Sequence, residues 1–280
     1  MWVYQVLTTL RMINENISSA LIMEGDADWD IRLKSQMQTF ARASKMLIQP
    51  LRGKTKNYFT DPTFPSSQPG DASQDFTVRD RVIQEPTSSP YGDLDRWDVL
   101  WIGHCGSEFP SPPEELGNHN IPLARITIPD DATVPPKNLL DPGWGSRDSY
   151  LDPYPPYTRV VSRAHNSVCT LGYAVSQAGA RKILYDIGLR SLTTAYDLAL
   201  RQVCDGTEGR NVNAVCLTVQ PPLISSFQPA GPRSQQSSIN ELEGINDRSF
   251  SGNIRWSTRV NFPKLVQGQT DFVDSFPDGE

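Results

Sequence analysis

The sequence predicts an α/β domain with a mainly parallel sheet, and three observations predict it. Short apolar runs at 20–23, 97–103 and 215–219 have the length of strands. Segments 3–16 and 31–49 carry apolar residues at helical spacing. The two kinds of segment alternate along the chain. Taken in order, Val3, Val6, Leu7, Leu10 and Ile13 form the stripe of a first helix. A buried strand follows at 20–23. Ile31, Leu33, Met37, Phe40, Ala41, Ala43, Met46 and Leu47 then make the stripe of a second helix, with Pro50 just past its end. Strands are expected at 97–103, 158–163 and 169–175, and Ser176 is placed to cap a helix that runs on through 179–185. Residues 196–200 open a short helix, and 215–219 make a late strand.

Between these elements lie two stretches of different composition. Pro, Ser, Asp and Thr dominate 52–90, which reads as a partly disordered surface excursion. Residues 106–157 are rich in Pro, Asp and Gly, and are long for a structureless loop, so a functional or mobile role is expected. The chain thus divides into a domain over 1–228 and a polar C-terminal tail over 229–280.

Composition excludes some function classes. A net charge of −6 with no run of Lys or Arg argues against nonspecific nucleic-acid binding. No apolar run reaches the roughly 20 residues that span a bilayer. No basic segment precedes the mildly apolar first ten residues, so no signal peptide is read and the default compartment is the cytoplasm. Cys105, Cys169, Cys204 and Cys216 are too few for a disulfide scaffold and form no CxxC pair, which argues against zinc. One or two disulfides remain open in an oxidising compartment.

The most chemical stretch is the acidic one. Glu24, Asp26, Asp28 and Asp30 follow the 20–23 strand within seven residues. Such carboxylates repel one another, so a cation or a cationic partner must offset them, or they stay solvated as an ordinary loop. The first option suggests a metal-assisted site for a phosphate-bearing ligand, with Asp26 and Asp28 in a D-x-D spacing beside Glu24. Asp30 is placed to cap the helix near Ile31. Trp29 reads as core or pocket wall, with a sugar platform as the alternative. His104 and Cys105 are neighbours on a strand end and point to opposite faces, so a structural role is expected before pocket lining, and a nucleophilic dyad is not. His119 and His165 are expected in surface loops. Arg163, Arg181 and Arg255 are expected in surface ion pairs, with a diphosphate contact as the alternative.

The stretch 20–30, ALIMEGDADWD, resembles the acidic motif of glycosyltransferase family 25, in which a strand of the type LILEDD ends at the donor site. Further segments agree in order. Residues 97–106, WDVLWIGHCG, are similar to a segment of fungal members; 170–180, TLGYAVSQAGA, look like the family's strand-to-helix turn; 220–223, QPPL, resemble its late PPL segment; and 253–257, NIRWS, resemble the end of fungal members. The resemblance covers about 4–261, with gaps over the two excursions.

It implies a GT-A-like (Rossmann-like) fold with long irregular insertions. That fold is expected to be incomplete here, because Met1 falls inside the helix before the acidic motif and the first βα units, which supply much of the uridine pocket, precede that point. It also implies inverting transfer of galactose or glucose from a UDP-sugar to a hydroxyl of a glycan or protein. Relatives modify lipopolysaccharide or hydroxylysine in collagen, and full-length ones are expected in the Golgi or ER lumen. The implied cofactor is Mn²⁺ or another divalent cation. Glu24, Asp26 and Asp28 would serve cation and donor, and Asp197 would act as base or acceptor contact, its alternative role being a charge at a helix N-terminus. Gly25 stands where the family pattern carries an Asp. A second reading is therefore an inactive relative that acts at most as a binding module.

Overall fold

The computed structural model describes residues 2–53, 58–79, 81–114, 120–143, 153–191, 194–235 and 243–279. Its centre is set by alternation in one strand, β4 (Val99–Gly103), which is buried along its whole length. Leu100 and Ile102 pack on one side, with Phe40, Met46 and Leu47 of helix α2 (Leu33–Ile48). Val99 and Trp101 pack on the other, with Met12 of helix α1 (Trp2–Asn14), Ile183 of helix α3 (Gln177–Ile183) and Leu200 of helix α4 (Tyr196–Asp205). A strand with an apolar layer on each face is what an α/β sandwich requires.

The other strands are β1 (Ser19–Met23), β2 (Ala27–Trp29), β3 (Asp75–Thr77), β5 (Gly106–Glu108), β6 (Arg125–Ile128), β7 (Arg159–Arg163), β8 (His165–Val168), β9 (Gly172–Ser176), β10 (Cys216–Gln220), β11 (Ile224–Gln228), β12 (Gly231–Pro232), β13 (Ile245–Asn246) and β14 (Phe250–Ser251). The sheet runs β1-β9-β4-β10-β7-β6-β3. The α/β class holds. Five of these seven strands point the same way, but β9 and β7 run against them, so only β4–β10 and β6–β3 are parallel neighbours along this path. The sheet is therefore mixed. Beside β4, the short strand β11 extends the sheet and pairs with both β2 and β14.

Several expectations from the sequence change. Strand β1 forms an edge, with Leu21 and Met23 exposed, and is not buried. Helix α1 turns Gln5, Thr9 and Met12 inward, while Leu7 and Leu10 of its apolar stripe stay exposed. The reason is specific: the hydroxyl of buried Tyr173 donates to the Gln5 side chain at 2.5 Å. Residues 52–90 contribute β3 and a buried Asp61, whose carboxylate accepts the backbone N–H groups of Thr63 and Ala124 at 2.8 and 2.9 Å. Residues 106–157 contribute β5 and β6.

The stretch over 229–280 is packed where it is described. Helix α5 (Thr258–Val266) lies there, and Ser251, Ser257 and Asn261 are fully buried. This region orders itself through hydrogen bonds, which a search for apolar periodicity does not register.

Ser176 does cap α3, accepting the Gly179 N–H at 3.0 Å. All four cysteines are paired, Cys105 with Cys169 and Cys204 with Cys216.

Candidate functional site

A pocket of about 540 Å³ opens at the C-terminal ends of β4 and β10. In open α/β sheets that is where ligands collect. One wall is His104 and Cys105, which directly follow β4. Another is Gln220, Pro221 and Pro222 at the end of β10, and Ser225 and Ser226 of β11 continue it. The rim is closed by 141–143 and by Phe250, Gly252 and Asn253. Asn253 holds the rim together: its side chain accepts the Asp141 N–H at 2.9 Å and donates to the Asp141 carbonyl at 2.7 Å.

Two glycines let the strands meet beneath the pocket. A Cβ on Gly103 would stand 2.7 Å from the Gly172 backbone nitrogen, and one on Gly172 would stand 2.5 Å from Ile224. Buried Arg159 ties the floor. It pairs with Asp131 at 2.7 Å and donates to the Thr133 hydroxyl and to the carbonyl of Pro221. Its partner Asp131 is held below the usual carboxylate range, the arginine and the Thr133 donors outweighing burial, which by itself raises it.

Glu24 and Asp197 stand outside the pocket lining and are linked to it by one short strip, 169–171. The Cys169 N–H donates to Asp197 at 3.0 Å, the Thr170 hydroxyl donates to Glu24 at 2.6 Å, and the Leu171 carbonyl accepts the Glu24 N–H at 3.1 Å. Leu171 itself lines the pocket. Cys169 has a positive φ of 61°, unusual without glycine. Its disulfide to Cys105 and the Trp101 indole N–H bound to its carbonyl at 2.8 Å hold it there. Burial pushes the Glu24 pKa upward, and the charges of Asp26 and Asp197 add to the rise against the lowering effect of Thr170. Asp197 lies in the first turn of α4, where the helix dipole also favours a negative charge.

Asp28 and Asp30 lie elsewhere. Asp28 is fully buried. Its carboxylate accepts the hydroxyls of Ser251, at 2.5 Å, and Ser257, and the Arg259 backbone N–H at 3.1 Å. These last two groups form the N-terminus of α5, so Asp28 anchors that helix. Its oxygens are thereby committed, and it does not fit a place in a cation site with Asp26. Among the described residues no group of three or more His, Cys, Asp or Glu side chains is arranged to hold a metal ion. Asp30 accepts the Arg32 N–H at 2.8 Å just ahead of α2 and also the Trp256 N–H at 3.3 Å, so it fastens the helix start to the C-terminal segment. Trp29 packs against the core.

The remaining candidates also settle. His104 is buried and lines the pocket. Its Nε2 bonds the Val219 carbonyl at 2.9 Å, and burial pushes its pKa down to about 4, against the raising effect of that bond. His165 lies in β8, 3.3 Å from Asp205, and His119 falls outside the described residues. Arg163 is buried and donates to the carbonyls of Ala214 and Cys216. Arg255 is buried and paired with Asp274 at 2.6 Å. Neither fits a surface ion pair. Arg181 donates to Gln177 on the surface of α3.

Reading the sequence missed Thr170, which holds Glu24, and Ser251 and Ser257, which hold Asp28. The signal for the serines was the 253–257 segment, whose similarity was noted while its region was read as tail.

No protein-family model matches this chain, and neither a curated protein nor a solved structure does. No described helix is long and apolar enough to cross a membrane.

Proposed function

We propose that this chain is a glycosyltransferase-like protein of GT-A type that transfers a hexose from a UDP-sugar to a hydroxyl acceptor. One observation supports the reading above others. The segments on which the family resemblance rests are scattered from 20 to 257, yet Glu24 after β1, His104 after β4, Thr170 before β9 and Gln220 at the end of β10 all lie at the same end of the sheet, and Asp197 accepts the Cys169 N–H beside them.

In this reading Asp197 takes the proton of the attacking hydroxyl, and Glu24 is kept for the cation. Asp28 leaves the cation set, which reduces to Glu24 and Asp26. Magnesium-like ions commonly take one or two carboxylates and complete their shell with substrate phosphates. A divalent cation bound there would offset the charge of the diphosphate leaving group. The two disulfides accord with an oxidising compartment.

The committed Asp28 and the Gly25 departure favour a second reading, a binding module without turnover. Calorimetry with Mn²⁺, UDP and both together separates the two. Transferase chemistry is expected to give heat with UDP only when Mn²⁺ is present, and hydrolysis or transfer from UDP-hexose. The absence of heat from every mixture sinks both the donor site and the cation. Gly25 has open space around its Cβ position, so Gly25→Asp is sterically free and is expected to tighten Mn²⁺ binding.

A further inference from the structure

Four arginines are buried among the described residues: Arg159, Arg163, Arg210 and Arg255. Three of them sit against a carboxylate, Arg159 on Asp131, Arg210 on Asp186 and Arg255 on Asp274. Arg163 does not. Its Nε donates to the Cys216 carbonyl at 3.1 Å and its Nη2 to the Ala214 carbonyl at 3.0 Å. Those bonds use one side of the guanidinium and leave the end-on fork of Nη1 and Nη2 without a partner among the described residues. Nη1 is not sealed in the core and keeps accessible surface. The two carboxylates whose charge reaches Arg163 are committed elsewhere. Asp98 accepts the Lys182 ammonium and the Val215 N–H, both at 2.7 Å, and Asp61 accepts the N–H groups of Thr63 and Ala124. A buried charge is costly unless it is paired, and burial accordingly lowers the Arg163 pKa to about 10.

The surroundings narrow what could supply the missing charge. Arg163 lines a second cavity, of about 500 Å³, within the range of small-ligand sites. It lies at the other end of β10 from the pocket at Gln220, since Ala214 and Val215, which lead into β10, line it too. Asp205 is the one carboxylate in its described lining, and it is engaged: it faces His165 Nδ1 at 3.3 Å and accepts the Asn166 N–H at 3.3 Å. One unpaired cation beside one carboxylate suits a singly charged guest better than a phosphate dianion. The free fork offers two parallel N–H bonds, which match the two oxygens of a carboxylate. Phe64, Ile121 and Val203 make part of the lining apolar, which suits an organic body behind that carboxylate.

We propose that this second cavity is a binding site for a small organic monocarboxylate, whose two oxygens accept from the end-on fork of Arg163 while its apolar body lies against Phe64, Ile121 and Val203. The guest supplies the counter-charge that the fold gives to the other three buried arginines and withholds from this one. The site shares no lining residue with the pocket at the ends of β4 and β10, so it stands or falls apart from the transferase reading.

The test uses the full chain, ¹⁵N-labelled, with acetate, benzoate and inorganic phosphate titrated separately to about 50 mM at constant ionic strength, a range that reveals millimolar affinity. The expected result is a saturable shift of the Arg163 side-chain nitrogens with both carboxylates and none with phosphate. Benzoate is expected to bind about tenfold tighter than acetate, because it buries roughly 60 Å² more apolar surface. Arg163→Met removes the charge and is expected to abolish benzoate binding, read by calorimetry. That variant also leaves two carbonyls without their donor, so a second one guards against a failure to fold. Asn213 is an exposed residue of the same lining with a positive φ of 49°, which Asp tolerates. Asn213→Asp adds a negative charge there and is expected to weaken benzoate binding by about tenfold. No saturable shift with either carboxylate overturns the proposal. So does phosphate that binds more tightly than benzoate, or benzoate binding that either folded variant leaves unchanged. If Arg163→Met does not fold, Asn213→Asp decides.

Discussion

Asp26 and Asp28 are two residues apart, and they have opposite surroundings. Asp26 is exposed on the turn after β1, where its charge bears on Glu24. Asp28 is inside β2 and has no exposed surface. A D-x-D spacing would put both on one side of a continuous strand. Here the strand is not continuous: β1 stops at Met23, the chain turns through Gly25 and Asp26, and β2 begins at Ala27 to pair with β11. That pairing brings Asp28 under β14 and the first turn of α5, which supply its donors. Whether a carboxylate serves chemistry or architecture is thus decided by the donors that another part of the chain brings to it.

The largest effect expected follows from that anchor. Asp28→Ala leaves two buried hydroxyls and a helix N-terminus without their acceptor, and a loss of about 3 kcal/mol is expected by urea unfolding. Asp28→Asn keeps one carbonyl oxygen and is expected to cost less than half as much. If Asp28→Ala unfolds at the wild-type urea concentration, the architectural role is wrong and Asp28 returns to the cation set. Ser257→Ala comes next. Ser257 both donates to Asp28 and caps α5 by accepting the Val260 N–H at 3.0 Å. A loss of about 1–2 kcal/mol is expected, as for other lost caps, and hydrogen exchange should rise first in 258–266.

The α/β class, helix α2, strand β4 and the capped turn at Ser176 were legible because each is written in a local pattern. An uninterrupted apolar run ending in Gly103 marked β4, and helical spacing with Pro50 marked α2. The edge position of β1 was not legible, since an apolar run of four residues does not say how many neighbours it will have. Nor was the order of the C-terminal region, because buried Ser251 and Ser257 are paired with Asp28, and buried Arg255 with Asp274 and the Ala132 carbonyl, across distances that no local pattern records. At the site, Glu24 and Asp197 were visible as residues. Their meeting through Cys169 and Thr170 depends on the Cys105–Cys169 disulfide, and a count of four cysteines does not specify a pairing.

Glu24 gives a smaller and pH-dependent effect. Its folded pKa is raised above the reference value of 4.5, with burial the first cause. A raised pKa means that the stability is complete below the unfolded value and is lost as pH rises through the folded one. Glu24→Gln removes that loss and still accepts from Thr170. The variant is expected to melt about 2 °C above wild type near pH 7, with the gap closing as the pH is lowered below the unfolded value. Calorimetry at several pH values reads this directly, and a gap that widens toward acid would reverse the sign and refute the argument.

The smallest effect separates the two aspartates most sharply. Asp26→Asn removes one of the two charges that raise Glu24, and Asp26 is exposed, so stability is expected to change by no more than about 0.5 kcal/mol. The Glu24 carboxyl should nevertheless titrate at lower pH, as followed by ¹³C chemical shift. The charges that raise Glu24 are those of Asp26 and Asp197, so Asp28→Asn is expected to leave that titration where it is while lowering stability. Each variant therefore moves one observable and spares the other. If Asp28→Asn shifted the Glu24 titration as far as Asp26→Asn does, the two carboxylates would share one electrostatic site after all, and the division drawn at Ala27 would fail.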